Sequence, residues 1–248
     1  MDARGAEFNV WRDKVGMVGK PVAQLTSELY LYNCSVPSRT RESGMDKIDF
    51  KKLYKELFQA PVGRFKQIEV PTLRFLKVDG HGDPNTAEAF KNAVEWLYSV
   101  SYGMKFAAKT AQSLDYVVPP LEGLWWADDP ASFVARRKAE WHWTLMIMAP
   151  DFIGLDLFEA AIRKTSGRLG EPPDSLRLEP YVEGRCLQAL HVGSYDDEGP
   201  LLAKLYNETM PAQGFVRNGH HHEIYLSDAR KTAPSKLRTI LRQPVKPA

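Results

Sequence analysis

From Met45 onward the apolar residues fall into blocks whose period switches between helical and extended. Ile48, Leu53, Leu57 and Phe58 make a helical stripe that Ala60-Pro61-Val62-Gly63 ends. Residues 67–70 and 73–78 read as extended segments, broken at Pro71 and closed by the turn Gly80-His81-Gly82-Asp83-Pro84-Asn85. Thr86 is placed to cap a long helix running to about residue 109, along which Phe90, Val94, Leu97 and Tyr98 recur at three- and four-residue spacing. Tyr102 and Phe106 continue that ridge, which is either core or the wall of a pocket. Strands are expected at 115–118, 121–126 and 141–148. On the last, Trp141, Trp143 and Leu145 share one face and His142, Thr144 and Met146 the other. A second helix follows over 155–168, an exposed loop over 170–174, a strand over 181–192, a turn over 193–199 and a helix over 200–210. The β-branched and aromatic run 220–228 predicts a strand with His221, Glu223 and Tyr225 on one face and His220, His222, Ile224 and Leu226 on the other. Residues 239–245 predict the final strand.

The two halves of this region, about 64–150 and 180–248, repeat one order: strand, glycine-containing turn, helix, then a pair of strands. Laid over each other, they set Gly82 against Gly193 and Glu122 against Glu223. Pairing of the halves about a pseudo-twofold axis would make the two glutamate strands face each other across one cleft. Trp125 or Trp126, Trp143 and Tyr225 would line it.

Residues 1–44 carry no sustained period and are an extension outside the duplicated region. Residues 25–32 suit a strand or short helix, and 38–44 a linker. Asp13, Lys14, Lys20 and Glu28 interrupt every candidate signal peptide, which disfavours secretion. The best uncharged run, 143–150, is far shorter than the ~20 residues a membrane span needs. Only Cys34 and Cys186 occur, so no disulfide framework exists and a reducing cytoplasm is the expected location. A formal net charge of +2 over mixed signs, with basic runs no longer than Arg136-Arg137-Lys138, argues against a nucleic-acid surface. The chain's 248 residues are 44% hydrophobic, and an aromatic share of 11% with six tryptophans supplies material for a pocket lining.

Glu223 is the leading chemical candidate. Flanked by alternating apolar residues, it either reaches water or occupies a pocket in which burial raises its pKa and its strength as a base. His220 and His222 share a strand face and invite a metal reading. No cysteine or further histidine stands near them in sequence and Glu223 points away, so neither metal nor cofactor is expected. The glycine-rich turn lacks the Gly-Lys-Ser/Thr ending of a phosphate loop, and no nucleophile elbow occurs.

Four segments together carry a resemblance: Asp79-Gly80-His81-Gly82-Asp83-Pro84-Asn85, Leu121-Glu122-Gly123-Leu124-Trp125-Trp126, the run from Trp143 to Phe152, and His222-Glu223-Ile224-Tyr225-Leu226-Ser227-Asp228. From about residue 45 to the end the chain resembles stand-alone GyrI-like small-molecule-binding proteins. The resemblance implies an α+β fold of the GyrI-like or SOUL-like effector-binding kind. Its parts would be a duplicated β-α-β-β module, an antiparallel sheet, helices on one side and a central ligand cleft. It also implies a flat or cationic ligand, and, as in some stand-alone relatives, hydrolysis of cyclopropane-bearing alkylators. Matched to the family's Glu-Ile-Tyr-like strand, Glu223 and Tyr225 become the catalytic candidates; Glu122 from the internal overlay, Trp125, Trp126 and Trp143 from the aromatic strands, Tyr98 and Tyr102 from the helical ridge, and His142 are the candidate ligand contacts. The expected partner is a small molecule, with no nucleic acid or membrane, on a monomer or homodimer. Non-catalytic sequestration and modulation of gyrase are the alternatives.

Overall fold

A computed structural model describes residues 47–248 apart from Pro130, so the expectations for residues 1–44, Cys34 included, fall outside the described residues. Among the described residues are nine strands: β1 (Lys66–Val70), β2 (Leu73–His81), β3 (Leu121–Trp126), β4 (His142–Ala149), β5 (Arg177–Tyr181), β6 (Gly184–Val192), β7 (Phe215–Arg217), β8 (His221–Tyr225) and β9 (Arg238–Pro247). The helices that matter for the site are α1 (Glu88–Gln112), α2 (Leu155–Leu169) and α3 (Gly199–Lys204), the last continued by a π-helical turn, Leu205–Thr209. Two single turns, Phe50–Leu53 and Lys55–Phe58, precede β1.

The strands make one antiparallel sheet in the order β1-β6-β9-β8-β3-β4-β2-β5, with β7 pairing the end of β9. The repeat is visible in that order. β2-α1-β3-β4 and β6-α3-β8-β9 are two copies of one module, and β3 and β8 meet at the centre. The expected strand over 115–118 reduces to a single bridge from Ile48 to Tyr116. The strand expected over 181–192 is β6, which starts only at Gly184; Tyr181 instead ends β5, six steps away in the sheet, and Gly184 takes φ +70°, in the left-handed region glycine adopts without strain. Thr86 does not cap α1: Ala87 holds the N-cap position and offers no side-chain bond.

Chain connectivity curls the sheet. Strands lie about 4.8 Å apart, so the six steps from β6 to β5 would span roughly 29 Å if flat. Only Val182 and Glu183 join β5 to β6, a link that reaches about 11 Å. The ends must therefore approach each other, and Glu183 shows the side: its carboxylate meets His222 and Arg242 on one face of the sheet. We call this the inner face. The outer face carries the helices. Ile147, Leu145 and Val78 are buried there beneath α1, and Leu187 and Val245 beneath the α3 segment through Leu205 and Met210. α2 packs on α1, where a Cβ at Gly103 would come within 3.0 Å of Ala161. A Cβ at Gly80 would fall inside the indole of Trp143, its partner across the β2–β4 ladder, so only glycine lets that ring lie flat on β2.

The inner face holds a fully buried ionic network. His222 bonds Glu122 through Nε2 at 2.9 Å and Glu183 through Nδ1 at 2.8 Å. Arg242 donates to Glu183 at 3.1 Å, to Gln188 at 3.1 Å and to the Leu57 carbonyl at 2.7 Å. Gln188 donates in turn to the Glu56 and Gln59 carbonyls. The network thus satisfies its buried charges by pairing, as such charges require, and ties the leading turns to the sheet. Among the described residues no helix is long and apolar enough to cross a membrane.

Candidate functional site

The outer face of β3 and β8 lies between those of the strands that α1 and α3 cover, and the β3–β8 register decides what lies on this floor. Gly123 is opposite Glu223 and Trp125 opposite His221, while Glu122 is opposite Ile224 and Leu124 opposite His222. Directly opposed residues of an antiparallel pair point to the same side, so Glu223, His221, Tyr225, Gly123 and Trp125 share the outer face. Glu122 points to the inner one. The expected arrangement of two facing glutamates is therefore corrected: their strands lie side by side and their carboxylates emerge on opposite faces. Carried through the ladder registers from the matched turns at Gly82 and Gly193, the repeat sets Gly123 against Glu223 and Trp125 against Tyr225. The overlay on sequence alone was one residue out of step.

Around Glu223, whose side chain is 15% exposed, the groups are aromatic or acidic. Trp125 Nε1 donates to the Tyr225 hydroxyl at 3.0 Å. Glu223 stands beside that hydroxyl and favours its protonated form. Burial, then the Glu223 charge, push the Tyr225 phenol well above its ordinary pKa. Tyr195, in the turn before α3, sets its ring edge-on to Tyr225 at 5.7 Å, and burial followed by Glu223 and Glu198 pushes its phenol up to about 12. His221 Nε2 lies 3.5 Å from Glu223 Oε1. On the α1 side, Phe90 stacks on Trp125 at 6.1 Å, and Trp141 meets Trp125 edge-on at 6.0 Å with Phe133 stacked behind it.

Gly123 is required at this floor. A Cβ there would stand 2.8 Å from Trp125 Nε1 and 3.1 Å from the Tyr225 hydroxyl, between donor and acceptor. We expect Gly123→Ala to part that bond and cost about 1–3 kcal/mol. The measurement is thermal unfolding, with tryptophan fluorescence reporting the displaced indole.

A second acid, which the sequence pattern does not mark, stands near Glu223. Glu198 occupies the N-cap position of α3 yet makes no capping bond, and is 5% exposed. Burial first, and then the charge of Glu223, push its carboxyl up to about 10. In sequence, Glu198 sits in Asp196-Asp197-Glu198-Gly199, the composition of an exposed turn. The overlay of turns at Gly82 and Gly193 is the one signal in the sequence that this segment borders the β3–β8 floor.

Comparison with known proteins agrees with this architecture. Residues 64–246 match the GyrI-like small molecule binding domain. The chain belongs to this GyrI-like family. The structure of an uncharacterised conserved protein from Listeria innocua is 37% identical, with a TM-score of 0.73, over 81% of this chain and 100% of its own. That of a hydrolase from Listeria innocua is also 37% identical over 81% and 100% of the two chains, with a TM-score of 0.69. No match emerges among curated proteins.

In this GyrI-like chain the nine residues singled out from sequence divide into three groups. Glu223, Tyr225 and Trp125 come together on the outer floor. Tyr98 and Tyr102 lie on α1, Tyr98 reaching the backbone of Leu121 on β3 and Tyr102 46% exposed against Phe106. The others are not at the floor. Trp143 is 0% exposed, sealed between Gly80 and Phe90, so it supports the aromatic wall from beneath. Glu122 is buried in the inner network. Trp126 is on the inner face too, stacked between His142 at 5.6 Å and His220 at 4.2 Å. His142 also contacts His81 and pairs with Asp128.

Proposed function

We propose that the outer cleft of this GyrI-like protein binds flat, hydrophobic or cationic organic molecules and hydrolyses those that carry an electrophilic cyclopropane, a detoxifying reaction with Glu223 as general base. The observation that carries the reading is the setting of Glu223, a partly accessible carboxylate beside Trp125, Tyr225 and Tyr195. Aromatic faces hold a planar ligand by stacking, and the carboxylate draws a positive centre or polarises water beside it. The hydrolase from Listeria innocua that shares 37% identity supports catalysis over binding alone.

In a cyclopropane fused to a conjugated dienone, ring opening restores an aromatic phenol, so the protein has little bond-breaking work to do. It must place a water and manage one proton. Glu223 takes a proton from water as the water oxygen bonds to the cyclopropane methylene carbon. The strained C–C bond breaks and its electron pair passes through the dienone to the carbonyl oxygen. Tyr225, kept neutral by burial and by Glu223, orients the carboxylate throughout.

The test is incubation with a cyclopropane-fused dienone alkylator in ¹⁸O-labelled water, followed by chromatography and mass spectrometry. Hydrolysis predicts a ring-opened alcohol with one labelled oxygen, formed repeatedly per protein molecule. Saturable binding with product no faster than in buffer would establish sequestration instead.

A further inference from the structure

Glu198 is an acid that its surroundings do not neutralise. It is buried, and its Oε1 finds no hydrogen-bond partner among the described residues. It adjoins the hydroxyl of Thr239, which favours the ionised form but is outweighed by burial and by Glu223. Thr239 is the ladder partner of Tyr225 and therefore lies on the outer face, two positions along the strand from the partner of Glu223. Tyr195, three residues before Glu198, carries the same turn onto the Tyr225 ring. Glu198 thus reaches the cleft from the α3 side, across the floor from the α1 wall. The titratable groups that face it are Glu223 and Tyr225 on β8 and Tyr195 and Asp196 in its own turn, and beyond Glu223 stands His221, 3.5 Å from that carboxylate. None of the groups that act on Glu198 directly supplies a positive charge. A buried carboxyl beside an ionised one keeps its proton, and the same logic elsewhere divides two neighbouring acids into a donor and a base.

We propose that Glu198 is the proton donor of this cleft, working opposite Glu223 and giving its proton to a carbonyl oxygen of the bound ligand. The assignment rests on the hydrolytic reading for its chemical step and names the ligand class more narrowly: a planar molecule with a conjugated carbonyl at the α3 end. During ring opening the carbonyl oxygen takes the Glu198 proton as it receives the electron pair of the broken C–C bond. Glu223 meanwhile takes the proton of water. One water is added overall, and proton return from Glu223 to Glu198 through solvent restores the site. With its carboxyl held up at about 10, Glu198 stays protonated and competent through neutral pH and loses this role only in alkali.

Two variants and two readouts test the proposal. Glu198→Gln keeps shape but cannot release a proton, so turnover of the dienone should fall by about 10²-fold or more. The Kd of the ring-opened product should change little. The alkaline fall in the wild-type rate should vanish, and substrates whose phenols are more acidic should lose less. The second readout needs no turnover. An inert cyclohexadienone without the cyclopropane should show a lowered carbonyl stretching frequency when bound to wild type, and a near-solution value in Glu198→Ala. Equal turnover in Glu198→Gln, or a carbonyl stretch indifferent to Glu198→Ala, overturns the proposal. If wild type gives no product but the stretch still depends on Glu198, hydrolysis fails and the donor assignment stands.

Discussion

Arg242→Met should lower the stability of the fold by about 3–5 kcal/mol, because it leaves the buried Glu183 carboxylate without its guanidinium partner. At roughly 2–4 °C per kcal/mol for a domain of this size, the midpoint should drop by roughly 6–20 °C. The same change strips the Gln188 carbonyl and the Leu57 carbonyl of their donors, so the leading turns should loosen with the sheet. pH separates this mechanism from simple loss of volume. Burial by itself would raise Glu183, but His222 and Arg242 outweigh it and hold the carboxyl at about 2. Such a depressed acid stabilises the fold above its unfolded pKa of about 4.3 and loses that contribution as pH falls toward its folded value. Burial lowers His222, and Glu183 and Glu122 more than reverse this, so its pKa is raised. Its contribution is complete below about 6.5 and fades as pH climbs through the folded value. The network is therefore strongest between about pH 4.5 and 6.5, where the Arg242→Met deficit should be largest. Adding Glu183→Gln to Arg242→Met should recover part of the loss, since no unpaired charge remains buried. A deficit below about 1 kcal/mol throughout that window would show that the network contributes little.

Local pattern and long-range pairing explain what could be read in advance. Strict alternation set His221, Glu223 and Tyr225 on one face and His220 and His222 on the other, and the ladder places them so. Apolar spacing located the two long helices to within a few residues. The repeat of elements gave the module, because each copy buries the same face of sheet against one helix. Register was another matter. A slip of one residue exchanges the two faces of a strand, and the alternation within residues 121–126 does not state which residue of β8 it will oppose. Glu122 was matched to Glu223 on that ground and belongs with His222 instead. Trp143 was assigned to a cleft because its strand face was known but its depth was not, and depth is set by Phe90 and Gly80 from other elements. Glu198 was invisible for a related reason: acidic turn residues are usually solvated, and only the fold of α3 against β9 buries this one.

The two faces of the sheet divide its buried charge into opposite roles. On the inner face two carboxylates meet one imidazole and one guanidinium, so each acid finds a cation and every strong donor a partner. On the outer face Glu223 and Glu198 meet mainly phenols and indoles, and Glu198 remains protonated for want of a cation. Stability favours the first arrangement. The second leaves Glu198 poorly satisfied, and perturbed acids of that kind concentrate in functional sites.

Glu223→Gln is expected to reduce hydrolytic turnover by about 10²–10⁴-fold, the range that removal of a positioned general base produces. Substitution by the isosteric amide preserves the floor, so a neutral planar product should bind with nearly wild-type Kd while a cationic ligand binds more weakly. That split, turnover lost and neutral binding kept, distinguishes chemistry from collapse of the cleft. The neighbouring acid supplies a second signature. Glu198 is held high first by burial and then by the Glu223 charge, so removing that charge should bring its titration to lower pH. In the residual rate of Glu223→Gln, the alkaline limb should therefore begin earlier than in wild type. Tyr225→Phe makes a useful contrast. It leaves Trp125 Nε1 without its acceptor and should cost about 1–3 kcal/mol in stability, with a smaller effect on turnover than Glu223→Gln. Should Glu223→Gln hydrolyse at the wild-type rate, the base must be another group on the same floor. His221, 3.5 Å from the carboxylate and with neither ring nitrogen hydrogen-bonded among the described residues, would take its place.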